Sequence, residues 1–449
     1  MIPRHLQGPD AMASTSISPL PRLALEPLRA AVLDRSTKGL PPGTEGLTLA
    51  AVGEQGWHVL AGDLPLPLAV IRKSVLEANS RWMKAFTALN GLEISPHGKT
   101  TMAPQLFDLQ VADGAWAITV ATVQQLDVCR RFGVRRVILA NQPIGRQAVD
   151  ACFSAIRENG IELYCLADSL TGVSLLAEGA ARLPPSSTHP LHILVEIGFE
   201  GGRTGTRTRE EALSVARAVG QVPGLQLAGF ECFEGLQPTP AGADRLIDEV
   251  IAVAQEADDE GLFAAGRAMV LSAGGSSLFD RVGERLNAAA FARPVVKVLR
   301  SGCYLTHDSL SYAAAFRRIL HDTSLALPEG GLEPALEVWA FVQSRPEEGR
   351  TMLTVGKRDI SYDSGMPVPL RWYRPDGSMA VPQPMPAGHT VLALNDQHCH
   401  LGTPLDSPIA IGDMVAFGIG HPCTTFDKWA FLALVDDDYR VIDGIRTFF

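Results

Sequence analysis

The sequence predicts an α/β protein in which a (β/α)8 barrel is followed by a second, β-rich domain. Eight short apolar or β-branched runs recur between residues 92 and 299, and Ala- and Leu-rich segments with helical periodicity separate them. After Asp308, strand-like runs and turn signals follow one another without long helices between them. A doubly wound parallel sheet would show the same alternation of strand and helix, and it stays as the alternative fold.

The chain before the barrel carries few signals. Residues 1–60 are rich in Pro, Gly, Ser and small apolar residues, and we predict an extension that drapes over the fold, with a short helix over 22–36 interrupted at Pro27. Residues 64–71 predict a strand. The segment after this strand predicts a helix whose apolar side is formed by Val75, Leu76, Trp82 and Phe86.

The remaining elements follow in chain order. The eight barrel strands are predicted at 92–95, 116–121, 137–141, 162–167, 191–197, 225–230, 268–272 and 295–299. Helical periodicity is clearest at 210–219 and 243–257. The strands of the β-rich region are predicted at 337–342, 351–355, 390–394, 414–419 and 430–435.

Composition excludes several classes of protein. The 449 residues are 46% hydrophobic and 20% charged, which suffices for a large core, and the net charge of −10 argues against a nucleic-acid surface. No apolar stretch reaches membrane-spanning length, and the first 20 residues lack the compact apolar core of an export signal. Seven scattered cysteines without a CxxC pair indicate reduced thiols and a cytoplasmic location.

The segment 93–104, EISPHGKTTMAP, contains the first candidate catalytic residue. Lys99 follows His97 and Gly98 directly after an apolar run, which predicts a position at a strand end, where barrel enzymes collect their chemistry. A lysine in a pocket loses its proton more easily than a solvated one, and a neutral amine can form a Schiff base with an aldehyde cofactor. An exposed loop lysine is the alternative.

Two further patterns indicate ligand sites. The turn with Gly274, Gly275 and Ser276 closes the seventh run and can aim backbone N–H groups at a phosphate, although a tight turn that needs glycine would look the same. His421 and Cys423 are two residues apart, so on an extended segment both side chains point to one side and could hold zinc. A buried histidine beside a buried cysteine is the alternative there.

The sequence segment around Lys99 resembles a motif of a known enzyme family. Pro96, His97, Gly98, Lys99 and Thr100 resemble the pyridoxal-phosphate lysine motif of the fold-type III family that holds D-serine dehydratase and D-threonine aldolase. The similarity continues from about residue 60 to the end, through segments at 119–126, 138–145, 195–205, 272–277, 300–308 and 420–427.

The resemblance implies an alanine racemase-like barrel with pyridoxal 5′-phosphate on Lys99 and a zinc ion next to it. It implies an N-terminal extension at 1–60, a strand within 61–76 that joins the C-terminal domain, a barrel at 77–308 and a β-rich domain at 309–449 that carries the metal site. It further implies a homodimer with no nucleic-acid or membrane partner. The implied cofactor-binding residues are Lys99, His97, Asn141, Arg203, Gly274, Gly275, Ser276, Gly302 and Tyr304, and the implied metal ligands are His421 and Cys423.

Some of these roles have alternatives. Arg203, at a strand end, would alter the protonation of the cofactor ring, or it pairs with Glu196 or Glu200 to hold a loop. His97 packs against the cofactor, orients Lys99, or is a structural histidine. His398 resembles a family segment that faces the same pocket.

The resemblance implies a lyase. Dehydration of D-serine or a related β-hydroxy D-amino acid to a keto acid and ammonia is favoured, because Cys423 stands where aldolase members have an aspartate. The first alternative is a D-threonine aldolase that gives glycine and an aldehyde. A non-catalytic cofactor carrier is a further alternative, although such carriers are typically a barrel alone and this chain has a β-rich region from about residue 309. A racemase or decarboxylase of the same fold would keep a second domain but would not need His421 and Cys423. Two departures from the family pattern, Thr101-Met102 and the segment 233–236, change the polarity of the pocket.

Overall fold

The computed structural model describes residues 19–449, so the predictions for residues 1–18, including the N-terminal part of the extension and most of the export-signal region, lie outside it. Its strands are β1 Leu68–Arg72, β2 Glu93–Ile94, β3 Ile118–Val120, β4 Arg136–Leu139, β5 Glu162–Ala167, β6 Leu191–Glu196, β7 Leu225–Glu231, β8 Met269–Ala273, β9 Val295–Leu299, β10 Leu336–Glu347, β11 Arg350–Leu353, β12 Val368–Tyr373, β13 Gln383–Pro384, β14 Thr390–Leu394, β15 Cys399–Gly402, β16 Met414–Gly418, β17 Phe431–Val435 and β18 Val441–Arg446. Its helices are α1 Glu26–Arg29, α2 Lys73–Leu89, α3 Pro104–Ala112, α4 Val123–Phe132, α5 Arg146–Asn159, α6 Leu170–Arg182, α7 Arg209–Gly220, α8 Pro240–Asp259, α9 Phe279–Ala288, α10 Ser311–Asp322 and α11 Cys423–Phe426.

Strands β2 to β9 form one parallel sheet in the order β2-β9-β8-β7-β6-β5-β4-β3. The first and last members of this order also meet, since the Trp116 N–H donates to Ile94 O at 2.7 Å and the Thr119 N–H donates to Pro96 O at 2.9 Å. All eight predicted barrel strands are therefore present, and helices connect them as the periodicity predicted. The α/β class is confirmed, and the doubly wound sheet is excluded.

A second sheet of ten strands, largely antiparallel, contains β10 to β18 and β1. Strand β1 lies between β10, to which it is antiparallel, and β17, to which it is parallel. The first strand after the N-terminal extension thus belongs to the sheet formed by the C-terminal third of the chain. The exact boundaries at residues 60, 76 and 308 stay predictions.

The predicted helix over 22–36 is wrong in extent, because only Glu26–Arg29 is helical. Pro27 lies in its first turn, and soon afterwards the chain becomes extended, with the Leu33 N–H donating to Leu47 O at 2.8 Å. Strand β1 begins four residues later than predicted, at Leu68, since Pro65 and Pro67 have no N–H to give to a ladder.

The extension contacts both parts of the fold within the described residues. The Ala24 N–H donates to Phe132 O on the barrel side, and Arg29 pairs with Asp443 of β18 at 3.2 Å. Leu49 and Val52 are fully buried. In residues 19–449, no helix is long and apolar enough to cross a bilayer.

Candidate active site

Lys99 lies on a short 3₁₀ turn, Gly98–Thr100, at the carboxyl end of β2. It lines a cavity with about 590 Å³ of empty space at the end of the barrel where the strands finish. His97, Asn141, Arg203 and Gly275 line the same cavity. Five of the predicted cofactor-binding residues are therefore brought together by the ends of different strands, as expected for a barrel enzyme.

The lining also contains three charged side chains to which no role toward the cofactor was assigned, Glu196, Glu231 and Arg300, and it contains Phe233 of the segment 233–236. Arg300 is buried, and its guanidinium pairs with Glu231 at 2.5 Å and donates to Ser272 Oγ at 2.7 Å. In the sequence, Glu196, Glu231 and Arg300 cannot be distinguished from solvent-exposed charged residues. The one feature that could have identified them is that each lies at the end of an apolar run.

Arg203 faces the ring of Phe233, with its guanidinium carbon 5.1 Å from the ring centre. Its predicted alternative partner Glu196 is held by other groups, since Gln142 donates to it at 2.5 Å and Thr204 at 2.8 Å. The Arg203 guanidinium thus stacks on an aromatic face at the cavity rather than pairing with Glu196.

His97 has a buried Nδ1 with no hydrogen-bond partner among the described residues. Burial lowers its pKa well below the usual value, and the positive charges of Lys99, Arg300 and Arg203 lower it further. The imidazole is therefore neutral at physiological pH. Buried polar atoms are normally hydrogen-bonded, so this ring nitrogen in the cavity lining is available to hydrogen-bond a bound ligand.

The turn after β8 already holds an anionic group. The N–H groups of Gly274 and Gly275 donate to the two carboxylate oxygens of the buried Glu234, at 3.0 and 2.8 Å. Gly274 has φ +89°, a backbone region that favours glycine. The turn therefore binds a carboxyl group through two backbone N–H groups, and an anion bound there would replace Glu234 as acceptor.

The other predicted cofactor residues lie outside the lining of this cavity. Ser276 is half-buried and follows the same turn. Gly302 packs against the backbone of His97, and Tyr304 is buried, with its hydroxyl 3.4 Å from Gln110 Nε2. Burial raises the pKa of Tyr304, which keeps its phenol protonated.

Gly302 leaves no room for a side chain. A Cβ at this position would lie 2.5 Å from His97 O, a backbone atom, so Gly302→Ala must displace the turn that precedes Lys99. We expect this substitution to lower the free energy of unfolding by about 1–3 kcal/mol, measured by urea denaturation. The control is Gly220→Ala at the end of α7, where no atom lies within 4 Å of the added Cβ. Equal midpoints for the two variants would contradict the packing described.

The pKa of Glu231 gives a pH prediction. Burial raises this pKa to about 7, against the opposing effect of Arg300. Because the folded chain then holds this proton more tightly than the unfolded chain, the contribution to stability is complete below the unfolded pKa of about 4.3 and is lost as the pH rises to about 7.

We therefore expect Glu231→Gln to flatten the fall in unfolding free energy between pH 5 and 7.5, by about 1–3 kcal/mol. The measurement is urea denaturation across this range. Glu329→Gln, at an exposed position, is the control and should leave the slope unchanged. An unaltered slope in Glu231→Gln would contradict the raised pKa.

Cys423 lies beside Thr100, the residue after Lys99, and His421 is a hydrogen-bond neighbour of Cys423. The Cys423 sulfur is 3.4 Å from Thr100 Oγ1 and 3.8 Å from the sulfur of Cys303. Asp363 Oδ2 lies 2.6 Å from His421 Nδ1. Of the two predicted metal ligands, Cys423 therefore contacts the turn that carries the lysine, although it comes from the other end of the chain.

The pKa values of His421 and Cys423 shift in opposite directions. The hydrogen bond from the Cys303 thiol lowers the pKa of Cys423 well below its usual value, and the His421 imidazole and Thr100 hydroxyl lower it further. Hydrogen bonding to Cys423 and to Asp363 raises the pKa of His421 to about 9, despite burial. A thiolate and an imidazole with its Nδ1 held by a carboxylate are donors that suit zinc.

Other ligands are less clear. In the part of the chain that the structure describes, no three His, Cys, Asp or Glu side chains already surround one point as metal ligands. His398 was predicted to face the pocket, but it lies in the exposed turn between β14 and β15, because the hairpin carries it away from the barrel.

Comparison with known proteins gives matches in sequence. Residues 335–435 match the family model described as "Putative serine dehydratase domain". A 3-hydroxy-D-aspartate aldolase of Paracoccus denitrificans strain Pd 1222 is 25% identical over 68% of this chain and 75% of its own. A D-threonine aldolase of an Arthrobacter species is 24% identical over 74% and 78%. A D-threo-3-hydroxyaspartate dehydratase of Delftia sp. strain HT23 is 24% identical over 55% and 62%.

Solved structures share the fold. A D-threonine aldolase from Filomicrobium marinum superposes with a TM-score of 0.70 at 23% identity, covering 87% of this chain and 97% of its own. The D-threo-3-hydroxyaspartate dehydratase of Delftia sp. HT23 gives 0.64 at 21% identity, covering 87% and 99%. Together with the lysine motif at the strand end, these matches support the resemblance of the chain to the fold-type III family of pyridoxal-phosphate enzymes that includes D-serine dehydratase and D-threonine aldolase.

Proposed function

We propose that this protein is a pyridoxal-phosphate- and zinc-dependent lyase that dehydrates D-serine or a related β-hydroxy D-amino acid, such as 3-hydroxyaspartate, to a keto acid and ammonia. The relatives with sequence matches act on β-hydroxy D-amino acids by their names, which supports the substrate class. The observation that carries the proposal is the 3.4 Å contact between Cys423 and Thr100, which links a soft metal-ligand pair to the lysine turn.

The cofactor site is proposed from the cavity residues. Bound pyridoxal phosphate supplies an electron sink for the carbanion left when an α-proton is removed. Lys99 Nζ is the proposed attachment point, and as a free amine it accepts that proton from the substrate. The N–H groups of Gly274 and Gly275 are the proposed phosphate donors, and Arg203, stacked on Phe233, is the proposed neighbour of the ring.

Charges of both signs lie in the cavity with Lys99. Arg203 and Arg300 contribute positive charges, and Glu196 and Glu231 are the carboxyl groups of the lining. His97 is neutral and adds no charge of its own.

The metal site is proposed at His421 and Cys423. An ion there would act as a Lewis acid toward the β-hydroxyl, a poor leaving group. Asp363 holds His421 Nδ1 and so leaves Nε2 as the nitrogen for the ion. One solved neighbour is described as a cysteine-to-alanine mutant in a metal-free form, a description that concerns that protein alone and agrees with the proposed ligand type.

Retro-aldol cleavage to glycine and an aldehyde is the second candidate. It is favoured by the two relatives at 25% and 24% identity, both named as aldolases. In that reaction a base removes the hydroxyl proton and the α-proton stays in place. Cys423 in place of the aspartate of aldolase members favours dehydration.

The experiment is incubation of the cofactor-loaded protein with D-serine, D-threonine and 3-hydroxyaspartate. Keto acid and ammonia are the expected products. Formation of glycine and an aldehyde would contradict the dehydratase proposal and identify the reaction as aldol cleavage. Bound cofactor without turnover of any of the three would indicate a non-catalytic carrier. Dialysis against a chelator should abolish turnover and leave the cofactor absorption in place; turnover that survives it would remove zinc from the proposal.

A further inference from the structure

Another cavity lies in the β-rich part of the fold and shares no residue with the cavity around Lys99. It has about 750 Å³ of empty space, a size typical of small-ligand pockets. Its lining comes from β1, β12, the loop at 380–382, the turn at 437–440 and the N-terminal extension at His58 and Leu60. A ligand in this cavity would therefore contact segments that are far apart in the sequence.

Three arginine side chains line this cavity. Arg72 ends β1, Arg371 lies in β12 and Arg440 lies in the turn before β18. Elsewhere the protein pairs its arginines closely, as where Arg374 donates to both oxygens of Asp413 at 2.9 and 2.8 Å. In the cavity, the ion-pair distance is 3.8 Å for Arg72 and 3.2 Å for Arg371, and Arg440 forms no ion pair within residues 19–449.

The hydrogen bonding of these guanidinium groups is incomplete. The Nε atoms of Arg72 and Arg371 are buried and have no hydrogen-bond partner among the described residues. Glu337, the buried carboxylate 3.2 Å from Arg371, also accepts from Tyr439 and Trp339. It offsets one of the three positive charges, so donors and positive charge remain that no buried group of the described chain satisfies.

Two carboxylates also line the cavity, and both are exposed. Asp437 accepts from Ser74 Oγ at 2.5 Å. Its side chain is 68% exposed, compared with 21% for Arg72 and 30% for Arg371. Asp438 is exposed in the same turn. Because solvent and salt screen exposed charges more strongly than buried ones, the guanidinium groups dominate the charge inside the cavity.

We propose that this cavity binds a small oxyanion, whose carboxylate or phosphate oxygens accept from Arg72, Arg371 and Arg440. The planar guanidinium group matches two oxygens of such an anion, and hydrogen bonds between charged groups are about twice as strong as neutral ones. His58 supplies a further donor, because its Nδ1 accepts from the Leu60 N–H at 3.1 Å and the neutral ring then carries its proton on Nε2. The site does not depend on the proposed lyase activity.

A bound oxyanion would also join the extension to the C-terminal sheet. His58 forms a β-bridge with Arg440, and the Val59 N–H donates to Tyr439 O at 3.0 Å. A ligand held by both segments binds the folded chain alone, so we expect it to raise the midpoint of thermal unfolding.

The test is titration calorimetry of the cofactor-saturated full chain with inorganic phosphate and with succinate, at constant ionic strength. At least one of the two anions should bind saturably, with one site per chain. Arg72→Gln and Arg440→Gln should each weaken this binding by about 10–100-fold, the effect of losing a charge-assisted hydrogen bond. Arg245→Gln, which removes an exposed arginine of α8, is the matched control and should bind as the wild type does.

Asp438→Asn separates anion binding from a structural role of the cluster. Loss of this opposing charge should tighten binding by about two- to fivefold. Binding of phosphate alone would identify the ligand as a phosphate compound, and binding of succinate alone as a carboxylate. Absence of saturable binding of both anions, equal affinity in the arginine variants and the wild type, or no gain in Asp438→Asn would overturn the site. Should Arg72→Gln fail to fold, Arg440→Gln decides, because its side chain is exposed.

Discussion

Lys99→Ala is expected to reduce turnover by about 10²–10⁴-fold, the range that loss of a positioned proton-transfer group produces. The variant also loses the amine to which the cofactor is proposed to attach. Steady-state assays on the favoured substrate measure the first effect. Borohydride reduction followed by mass spectrometry of the peptide that contains residue 99 measures the second, with an adduct expected in the wild type alone.

Lys84→Ala removes a lysine from the exposed face of α2 and serves as the control. It should retain the adduct and full turnover. An adduct on another lysine in the wild-type protein, or turnover that survives in Lys99→Ala, would remove Lys99 from the proposed mechanism. Thermal unfolding of both variants establishes that any loss is chemical rather than a loss of fold.

His421→Ala and Cys423→Ala are expected to lower turnover by about 10²–10³-fold, because Lewis-acid stabilisation of a leaving oxygen amounts to several kcal/mol. The cofactor absorption should stay, since neither residue lines the cavity around Lys99. Metal content by atomic emission should fall together with turnover. This separation of cofactor from metal is the property that distinguishes the proposed enzyme from a racemase of the same fold.

His398→Ala is the matched control for the histidine, because His398 is exposed in the turn between β14 and β15. Its metal content and turnover should equal those of the wild type. Full activity in a metal-free His421→Ala protein would contradict the proposed role of the ion. Activity restored to Cys423→Asp with glycine as product would favour the view that this position selects between elimination and cleavage.

Most of the barrel could be predicted because its strands are buried on both faces and read as short apolar runs. The run at 162–167 matches β5 at both ends, for example. Helix α10, SYAAAFRRILHD, was missed although its buried residues Phe316 and Ile319 have helical spacing, because turn signals and strand-like runs dominate the chain that follows it. Strands β12 and β18 were missed since charged and polar residues interrupt their apolar pattern.

The residues of the candidate site also fall into a group that was predicted from the sequence and a group that was missed. Lys99 was predicted because the residues around it form a recognisable motif. The glycines after β8 were predicted because a tight turn needs glycine. Arg300, Glu231 and Glu234 were missed, since a buried charge cannot be told from a solvated one in sequence. Asp363 and His421 are 58 residues apart in the sequence, so no local sequence pattern predicts their contact.

The position of β1 has a consequence for synthesis of the protein. Its two partners begin at Leu336 and Phe431, so the segment Leu68 to Ile71, fully buried in the finished molecule, has no neighbouring strand until those partners have been synthesised. An apolar strand with unpaired backbone N–H and C=O groups is a known template for aggregation. Chains that stop before Phe431 will leave the β17 side of β1 unpaired, and such fragments will need chaperones to remain dispersed.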